Sequence, residues 1–380
     1  MTTNAALEHS SKTMASGNPI AASPNRLKLG VFGLNVSGGC AMTSAADTLK
    51  IEWEESVRIA RAAEAAGIEA LVPVARWRGF GGATNFNHRS FETLTWAAGL
   101  AAVTDRIGIF ATVHVPTVHP VRAAKEIATI DHISGGRFAL NIVAGWNEPE
   151  IRMFGVSQRE HDQRYAFADE FTTLLKRLWT EDQFDFLGDF FTVPGAYSEP
   201  KPVQRPWPLI MSAGNSPAGR DFAARHADLN FALGPDLPTL AATCADIKRL
   251  ARERYGRELS VFTMGYVVCR ETEREALRYR DYYVKEKGDF AAAHNLLETL
   301  IPNSQSALGE QYRAMIENFI AGYSAMPLVG TPEQVVEGMS EMARAGFDGL
   351  TLSWVDYDEG LAQYRDRLRP LLIQAGLRVE

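Results

Sequence analysis

The sequence predicts an α/β fold, a (β/α)8 TIM barrel with insertions. Eight short segments rich in apolar and β-branched residues alternate with longer segments whose apolar residues recur at helical spacing. Such alternation is typical of a parallel sheet, and eight units are enough to close a barrel. The length of 380 residues suits one barrel with insertions. A doubly wound sheet is the alternative, but it seldom needs so many units.

Each predicted element follows from its own pattern of residues. The strands are placed at 27–32, 68–74, 107–112, 138–143, 208–213, 228–232, 260–269 and 349–354. The helices are placed at 51–66, 91–103, 120–132, 162–179, 216–226, 237–255 and 331–345, with a further helix after the last strand. Gly67, directly after the first of these helices, is the residue type that most often ends one.

Three parts of the chain fall outside this repeat. Residues 184–192 predict a small hairpin with Gly188 at its turn. Residues 272–327 are helical and polar, and they are too many for one barrel connection. An insertion there would lie over the carboxyl-terminal mouth, so we expect a lid or oligomer contacts. Residues 1–26 are polar and lack the apolar stretch of a secretory signal, which predicts a flexible tail before a single domain at 27–380.

Composition and charge exclude several classes of function. The net charge is −7 and no basic stripe is interleaved with aromatic residues, which argues against nucleic acid as a partner. No run of ~18 apolar residues predicts a membrane span. Cys40, Cys244 and Cys269 are far apart, with no histidine at zinc-ligand spacing beside them. We therefore expect no metal, reduced thiols and a cytoplasmic protein.

Polar residues at the ends of predicted strands are the candidates for chemistry. The chain has no P-loop, no HExxH, no GxSxG and no GxGxxG opening a helix, so a nicotinamide site of Rossmann type is unsupported. Asn141 interrupts an apolar strand and needs a partner, which is either an ordinary core contact or a ligand. Ser216 opens a helix and is either an ordinary N-cap or part of a phosphate site. The other members of this rim are Thr112, Trp146, Glu150, Arg164 and Tyr165. Such a rim suits a phosphate-bearing cofactor with a flat ring system.

The segment 128–137 (ATIDHISGGR) resembles the signature of the bacterial-luciferase-like flavin monooxygenases. The segments 141–146 (NIVAGW), 160–165 (EHDQRY) and 328–334 (LVGTPEQ) extend the match. The resemblance covers roughly 27–377 and includes the eight βα units that the family requires.

Within that family the motifs are similar to two branches of two-component enzymes that use FMNH2. The segment 78–82 (RGFGG), the pair at 111–112 and the spacing of Asn141 to Trp146 and Glu150 look like the pyrimidine oxygenases. The segments 35–39 (NVSGG) and 160–165 look like the dimethylsulfone monooxygenases. The pyrimidine oxygenases carry lysine where this chain has Arg76. The alkanesulfonate enzymes carry arginine and histidine where this chain has Met264 and Tyr266, which argues against a sulfonate substrate.

The resemblance also implies roles for individual residues. The residues that would contact FMN are Ala75, Arg76, Asn141, Glu150, Arg164, Tyr165 and Ser216. Thr112 and Asn141 would face the edge of the flavin where oxygen reacts, with Val72 and Trp146 forming an apolar pocket for O2. His114 could donate to the substrate or to the peroxide, or it could be a structural histidine.

The implied activity is oxygenation of a small substrate through a flavin peroxide. The substrate would be an N-heterocycle or cyclic amide of pyrimidine type, or a small organosulfur compound such as a sulfone. A separate NAD(P)H-dependent flavin reductase would supply FMNH2, and the chain would form a homodimer or homotetramer. An F420-dependent oxidoreductase on the same barrel and a non-catalytic flavin-binding protein are the alternatives. This chain has no nicotinamide-binding motif, which agrees with a separate reductase that binds the nicotinamide.

Overall fold

The computed structural model describes residues 17–380, and their strands and helices are numbered here in chain order. The strands are β1 (Lys28–Phe32), β2 (Ala70–Val72), β3 (Gly108–His114), β4 (Phe138–Val143), β5 (Gln183–Leu187), β6 (Thr192–Tyr197), β7 (Leu209–Ser212), β8 (Leu229–Phe231), β9 (Ser260–Cys269), β10 (Met326–Gly330) and β11 (Gly349–Ser353). The helices are α1 (Pro19–Ala22), α2 (Trp53–Ala65), α3 (Thr93–Ala101), α4 (Pro120–Ser134), α5 (Glu148–Met153), α6 (His161–Thr180), α7 (Pro217–His226), α8 (Leu237–Tyr255), α9 (Glu273–Asp281), α10 (Phe290–Leu300), α11 (Ser304–Leu308), α12 (Gln311–Gly322), α13 (Pro332–Arg344), α14 (Tyr357–Gln363) and α15 (Arg369–Gln374).

Eight parallel strands close into a barrel, which confirms the predicted fold. Their order is β1-β2-β3-β4-β7-β8-β9-β11, and β11 pairs back onto β1 with Lys28 opposite Gly349. The strands are buried on both faces, as an all-parallel sheet requires. Side chains such as Leu29 and Val31 point to the layer between strands and helices. Phe110 and Met211 belong to the second apolar cluster, in the barrel interior.

The predicted hairpin is confirmed, with longer strands than the sequence indicates. β5 and β6 pair antiparallel, and the amide of Gly188 donates to the carbonyl of Phe191 at their turn. The carboxylate of Glu170 in α6 accepts from the amides of Asp189, Phe190 and Phe191. This anchors the hairpin to the outside of the barrel.

Besides α1, the sequence does not predict β10 or α5. β10 pairs in parallel with the far half of β9, from Met326 opposite Gly265 to Gly330 opposite Cys269. β9 is ten residues long, so its first half pairs with β11 and its second half is free to pair with β10. α5 has six residues, too few to show a helical period, and it lies in a segment expected to be a loop.

Residues 272–327 form α9 to α12 and a π-helical turn at Tyr282–Glu286. They are bonded to the loops that follow β1 and β2. The hydroxyl of Thr43 donates to the carbonyl of Tyr283 at 2.8 Å, and the side-chain amide of Asn295 donates to the carbonyl of Phe80 at 2.8 Å. Apolar residues of this insertion, including Leu296, share one cluster with the barrel interior. The insertion therefore covers part of the carboxyl-terminal mouth, while a role as a lid or in oligomer contacts stays a prediction.

The expected amino-terminal tail is only partly described. Residues 1–16 lie outside the described residues. Residues 17–26 do not match a flexible tail, because α1 buries Ile20 and the Asn18 side chain donates to the carbonyl of Phe138 at 3.0 Å. The single domain at 27–380 stays a prediction. Within residues 17–380 no helix is long and apolar enough to span a membrane.

Candidate active site

The carboxyl ends of β2, β3 and β4 bring together the residues that the sequence singled out. Val72 is the last residue of β2, and Thr112 and His114 lie in the last three positions of β3. The register of the parallel pair places Thr112 opposite Asn141 in β4. All four side chains are buried. The candidate site is therefore at the mouth of the barrel, where the active sites of this fold lie.

Thr112 and Asn141 form a hydrogen-bonded pair. The side-chain amide of Asn141 donates to Thr112 Oγ1 at 3.2 Å, and Thr112 Oγ1 donates to the carbonyl of Pro73 at 2.9 Å. Asn141 Oδ1 is buried and has no hydrogen-bond partner within residues 17–380. A buried acceptor without a partner costs free energy, so the pair is only half satisfied by the protein. Of the two interpretations of Asn141, an ordinary core contact accounts for its nitrogen but not its oxygen.

Arg76 and Glu150 form a buried ion pair beside it. Arg76 Nη1 lies 3.2 Å from Glu150 Oε1, and both side chains are almost fully buried. The same oxygen accepts from the amides of Trp77 and Arg78 at 2.8 and 3.0 Å. Glu150 belongs to the short helix α5, so the element that the sequence missed positions this carboxylate. Glu150 Oε2 and Arg76 Nε are both buried, and neither has a hydrogen-bond partner among the residues that the structure describes.

Two aromatic rings flank the guanidinium of Arg76. It lies 4.7 Å from the centre of the Phe80 ring and 5.3 Å from that of Trp146, within cation–π range. The two rings are 6.5 Å apart and nearly parallel, at 12°. Phe80 is not among the expected site residues, although it stands in the segment 78–82 that is similar to the pyrimidine oxygenases. Ala75 is buried beside Arg76.

His114 is buried next to this ion pair. Burial is the main cause that lowers its pKa to about 4, with Arg76 acting in the same direction and Glu150 opposing it. The imidazole is therefore neutral at neutral pH, and in the described part of the chain its Nδ1 has no hydrogen-bond partner. A neutral imidazole placed there could donate or accept a hydrogen bond toward a ligand.

A second group of residues lies around the start of α7. Ser216 is the N-cap of this ten-residue helix, and its Oγ accepts from the amide of Gly219 at 3.1 Å. A Cβ on Gly214 or Gly219 would lie 2.8 or 2.6 Å from the hydroxyl of Tyr165. The absence of side chains at both glycines therefore lets the Tyr165 hydroxyl pack against the backbone beside the N-terminus of the helix. The ordinary N-cap interpretation of Ser216 holds, and the same geometry suits a phosphate.

Arg164 links the two groups. Its Nη1 donates to the carbonyl of Gly145 at 2.8 Å, directly before Trp146, while its Nε is buried and unpartnered. The next residue along α6 is Tyr165. Arg164 thus ties the loop after β4 to the helix that carries Tyr165.

The expected site residues therefore lie in one mouth-side group and one group at α7. The mouth-side group contains Val72, Ala75, Arg76, Thr112, His114, Asn141, Trp146 and Glu150. The edge of a flavin ring carries carbonyls and an N–H, and the buried, unpartnered donors and acceptors of this group fit it. The group at α7 fits the phosphate of the cofactor. Sequence reasoning missed Phe80 and Tyr323, whose hydroxyl accepts from Arg76 Nη2 at 3.2 Å. No motif points to Tyr323, because it belongs to the insertion.

A cleft of about 610 Å³ between α6, the hairpin and α7 borders the start of α7, with Tyr165 and Ala218 in its lining. Asp169, Glu170, Asp189 and Asp221 line it, against a single arginine, Arg225. This surplus of carboxylates would repel an anion. In the part of the chain that the structure describes, no group of three or more histidine, cysteine or acidic side chains is arranged to hold a metal ion.

Comparison with known proteins places this chain in a family. The model of the family described as luciferase-like monooxygenase matches residues 27–349. The pyrimidine monooxygenase RutA of Escherichia coli (strain SMS-3-5 / SECEC) is 34% identical over 353 residues, which cover 91% of this chain and 96% of that protein. The same enzyme of Enterobacter sp. (strain 638) is 33% identical over the same shares.

A solved structure extends the comparison to the fold. DmoA from Hyphomicrobium sulfonivorans superposes with a TM-score of 0.82 at 21% identity, covering 93% of this chain and 89% of that one. This likeness carries the fold alone, whereas the family match rests on sequence. The chain belongs to the luciferase-like monooxygenases, a family of enzymes that use reduced flavin.

Proposed function

We propose that this chain is the oxygenase of a two-component system that uses FMNH2 and O2 to oxygenate a small N-heterocycle or cyclic amide of pyrimidine type. A separate NAD(P)H-dependent flavin reductase would supply the FMNH2. The observation that carries the proposal is the buried Thr112–Asn141 pair with its unpartnered Asn141 Oδ1. The identity of 33–34% with the RutA enzymes, over 91% of the chain, supports the choice of substrate class.

Ser216, Tyr165 and the two glycines at 214 and 219 would hold the phosphate of FMN. The N-terminus of α7 offers the Ser216 hydroxyl and the positive end of the helix dipole. Arg164, with its unpartnered Nε, would approach the cofactor from α6. Arg76, Ala75, Glu150 and Asn141 would line the ring.

The remaining residues would control the surroundings of the reaction. Bound FMNH2 would supply the electrons that activate O2. Val72 and Trp146 would keep water from the oxygen side, because water entry diverts reducing equivalents to hydrogen peroxide. The Thr112 hydroxyl and the Asn141 amide would provide fixed dipoles at that side. His114, neutral because its pKa is lowered to about 4, would present a hydrogen bond without a charge.

The polar groups of the mouth favour a cyclic amide over a sulfone. The unpartnered atoms include a donor, Arg76 Nε, and two acceptors, Glu150 Oε2 and Asn141 Oδ1. A cyclic amide carries both an N–H and a carbonyl and could complement donors and acceptors that the cofactor leaves free. A sulfone offers acceptors only and would leave such acceptors unsatisfied. A sulfone is therefore the second candidate substrate.

The cofactor is tested by anaerobic titration of the protein with reduced FMN and with reduced F420. Tight binding of reduced FMN alone is expected. Binding of F420 alone would instead support an oxidoreductase of the deazaflavin type.

The substrate class is tested with a flavin reductase, FMN and NADH against uracil, other cyclic amides, dimethylsulfone and alkanesulfonates. The proposal expects product from a pyrimidine or cyclic amide. Product from the sulfone alone would transfer the assignment to the second candidate. Binding of reduced FMN without turnover of any substrate would point to a non-catalytic flavin-binding protein.

We also infer that the chain forms a homodimer or homotetramer. Trp77, Met153 and Phe154 leave large apolar surfaces exposed, and the Trp77 and Phe154 rings pack edge to face at 4.9 Å. Clustered aromatic residues at a surface are typical of interfaces between proteins. Light scattering after gel filtration tests this, and a monomeric mass would contradict it.

A further inference from the structure

Tyr323 places a residue of the insertion in contact with Arg76. Its hydroxyl accepts from Arg76 Nη2 at 3.2 Å, while Nη1 of the same guanidinium faces Glu150. None of the roles implied by the family motifs includes a residue from 272–327. The insertion thus reaches the mouth of the barrel through a side chain and not only through the loops that it covers.

The backbone at this point is held in an unfavourable conformation. Tyr323 is the C-cap that follows α12, with φ 58° and ψ 38°, and Ser324 comes next with φ 64°. The left-handed conformation is common after a helix, but it favours glycine because a Cβ is crowded there. Two successive residues with side chains adopt it here. Such conformations persist where the surrounding structure enforces them, and they concentrate at functional sites.

Packing holds the Tyr323 ring in a fixed position. The Tyr323 ring lies 6.1 Å from that of Phe86, in the loop after β2, and 6.2 Å edge to face from that of Phe319 in α12. Burial raises the pKa of the Tyr323 hydroxyl, so it stays protonated while it accepts from Arg76. The phenol is therefore a rigid acceptor, supported from both the barrel loop and the insertion.

The forked shape of arginine gives this contact its effect. The two terminal nitrogens of a planar guanidinium engage separate partners and thereby fix its plane. Arg76 uses them for Glu150 and Tyr323, which leaves Nε buried and free for a ligand. A lysine carries all its donors on one nitrogen and could not be oriented in this way. Loss of either partner would release the plane of the guanidinium.

We propose that Tyr323 is a positioning residue for the oxygenation, which acts by fixing the guanidinium of Arg76 against the cofactor. This inference rests on the proposed function, since it takes Arg76 to contact FMN. Through Tyr323 the insertion would contribute directly to cofactor binding. This role is separate from covering the mouth of the barrel.

The test is a double-mutant cycle on the affinity for FMN. The dissociation constant is measured by anaerobic titration for the parent, Tyr323→Phe, Arg76→Lys and the double variant. Tyr323→Phe keeps the ring and removes one hydrogen bond to a charged group, so we expect about ten-fold weaker binding. In the Arg76→Lys background the same substitution should change the affinity less than about two-fold, because the planar guanidinium that Tyr323 orients is no longer present.

Tyr312→Phe is the matched control. Tyr312 lies in the same insertion, and its hydroxyl is 2.6 Å from Nδ1 of His294, away from Arg76. Its removal should leave the affinity for FMN unchanged. Thermal unfolding of every variant identifies a general loss of structure. If Tyr323 were merely structural, Tyr323→Phe would lower the unfolding temperature without changing the affinity for FMN.

The outcomes separate the inference from the proposed function. A parent protein that does not bind reduced FMN would overturn both. A parent that binds FMN, with Tyr323→Phe unchanged in affinity, would overturn the inference alone. Equal effects of Tyr323→Phe in the parent and in the Arg76→Lys background would also overturn it, because the tyrosine would then act independently of Arg76.

Discussion

The residues that identify the family most clearly are structural. Arg137 donates to the carbonyls of Ala101, Thr104 and Ile107 at 2.8–2.9 Å, and it lies before β4, at the amino ends of the strands. Asp131 accepts from Gln204 at the same end, and burial raises its pKa. Both residues belong to the motif 128–137, yet they lie at the end of the barrel opposite to the mouth. The signature therefore encodes barrel connections and not chemistry.

Replacing Arg137 by methionine should reduce stability and leave the affinity for FMN unchanged. The substitution leaves several buried carbonyls without a donor, and we expect a loss of about 3 kcal/mol in the free energy of unfolding. Urea unfolding measures this loss. Arg106→Met, at an exposed position, is the control and should change little. Weaker FMN binding in a folded Arg137→Met protein would contradict a purely structural role.

At the mouth, Thr112→Ala and Asn141→Ala should uncouple the reaction. Each removes one member of the hydrogen-bonded pair, so the cofactor still binds but oxygen transfer loses its fixed dipoles. We expect the yield of product per NADH to fall at least about ten-fold, with hydrogen peroxide making up the difference. Thr172→Ala is the control, because that buried hydroxyl bonds only within α6, to the carbonyl of Ala168. Unchanged yields in both site variants would contradict the role of the pair.

The sequence predicts residues such as Asn141 because a polar side chain in an apolar strand is conspicuous. It does not predict Phe80 or Tyr323. Phe80 is hidden in a glycine-rich loop, and Tyr323 is 247 positions from Arg76, its partner. Contacts between distant loops depend on packing, which no local pattern of residues records.

At the scale of elements, the start of α7 is the feature with the sharpest consequence. Gly219→Ala would place a Cβ 2.6 Å from the Tyr165 hydroxyl and 2.8 Å from the backbone of Gly214. Something must move, and we expect the affinity for FMN to fall by more than about ten-fold. Fluorescence titration with FMN measures it. Gly338→Ala in α13 meets only the end of the Leu328 side chain, and it should leave affinity unchanged. Normal binding by Gly219→Ala would remove α7 from the proposed phosphate site.

The strands and helices of the barrel are predictable because each buries a regular face. α5 and β10 are not, for different reasons. α5 is too short to show a period, yet it carries Glu150. β10 depends on the extra length of β9, which only the assembled sheet reveals. The missed elements are those whose conformation is determined by neighbours and not by their own residues.

At the scale of the molecule, burial of neutral histidine makes stability depend on pH. Burial lowers the pKa of His114 from 6.5 to about 4, so the unfolded chain binds a proton in this window that the folded chain does not. The free energy of unfolding should therefore fall as the pH falls from 6.5 to 4, by about 3 kcal/mol from this group. In His114→Asn this part of the pH dependence should disappear. His88→Asn, at an exposed position, should keep it. Denaturant unfolding at several pH values measures the slope, and equal slopes in parent and His114→Asn would contradict the assignment.

The closed barrel brings the site residues together. Parallel strands all present their carboxyl ends at one mouth, so residues from β2, β3, β4 and the loops beyond them converge although they are far apart in sequence. The insertion contributes Tyr323, whose hydroxyl accepts a hydrogen bond from Arg76. The fold therefore determines where the site is, while the loops determine what it binds.

We propose that one oxygen atom passes from O2 to a pyrimidine-type substrate at the mouth of the barrel. The most direct measurement is a single turnover of the FMNH2-loaded protein with 18O2 and uracil or a related cyclic amide, followed by mass spectrometry of the product. We expect one labelled oxygen atom in the product, and much less of that product from Asn141→Ala. A product without label, or hydrogen peroxide alone with every pyrimidine and cyclic amide, would contradict the account.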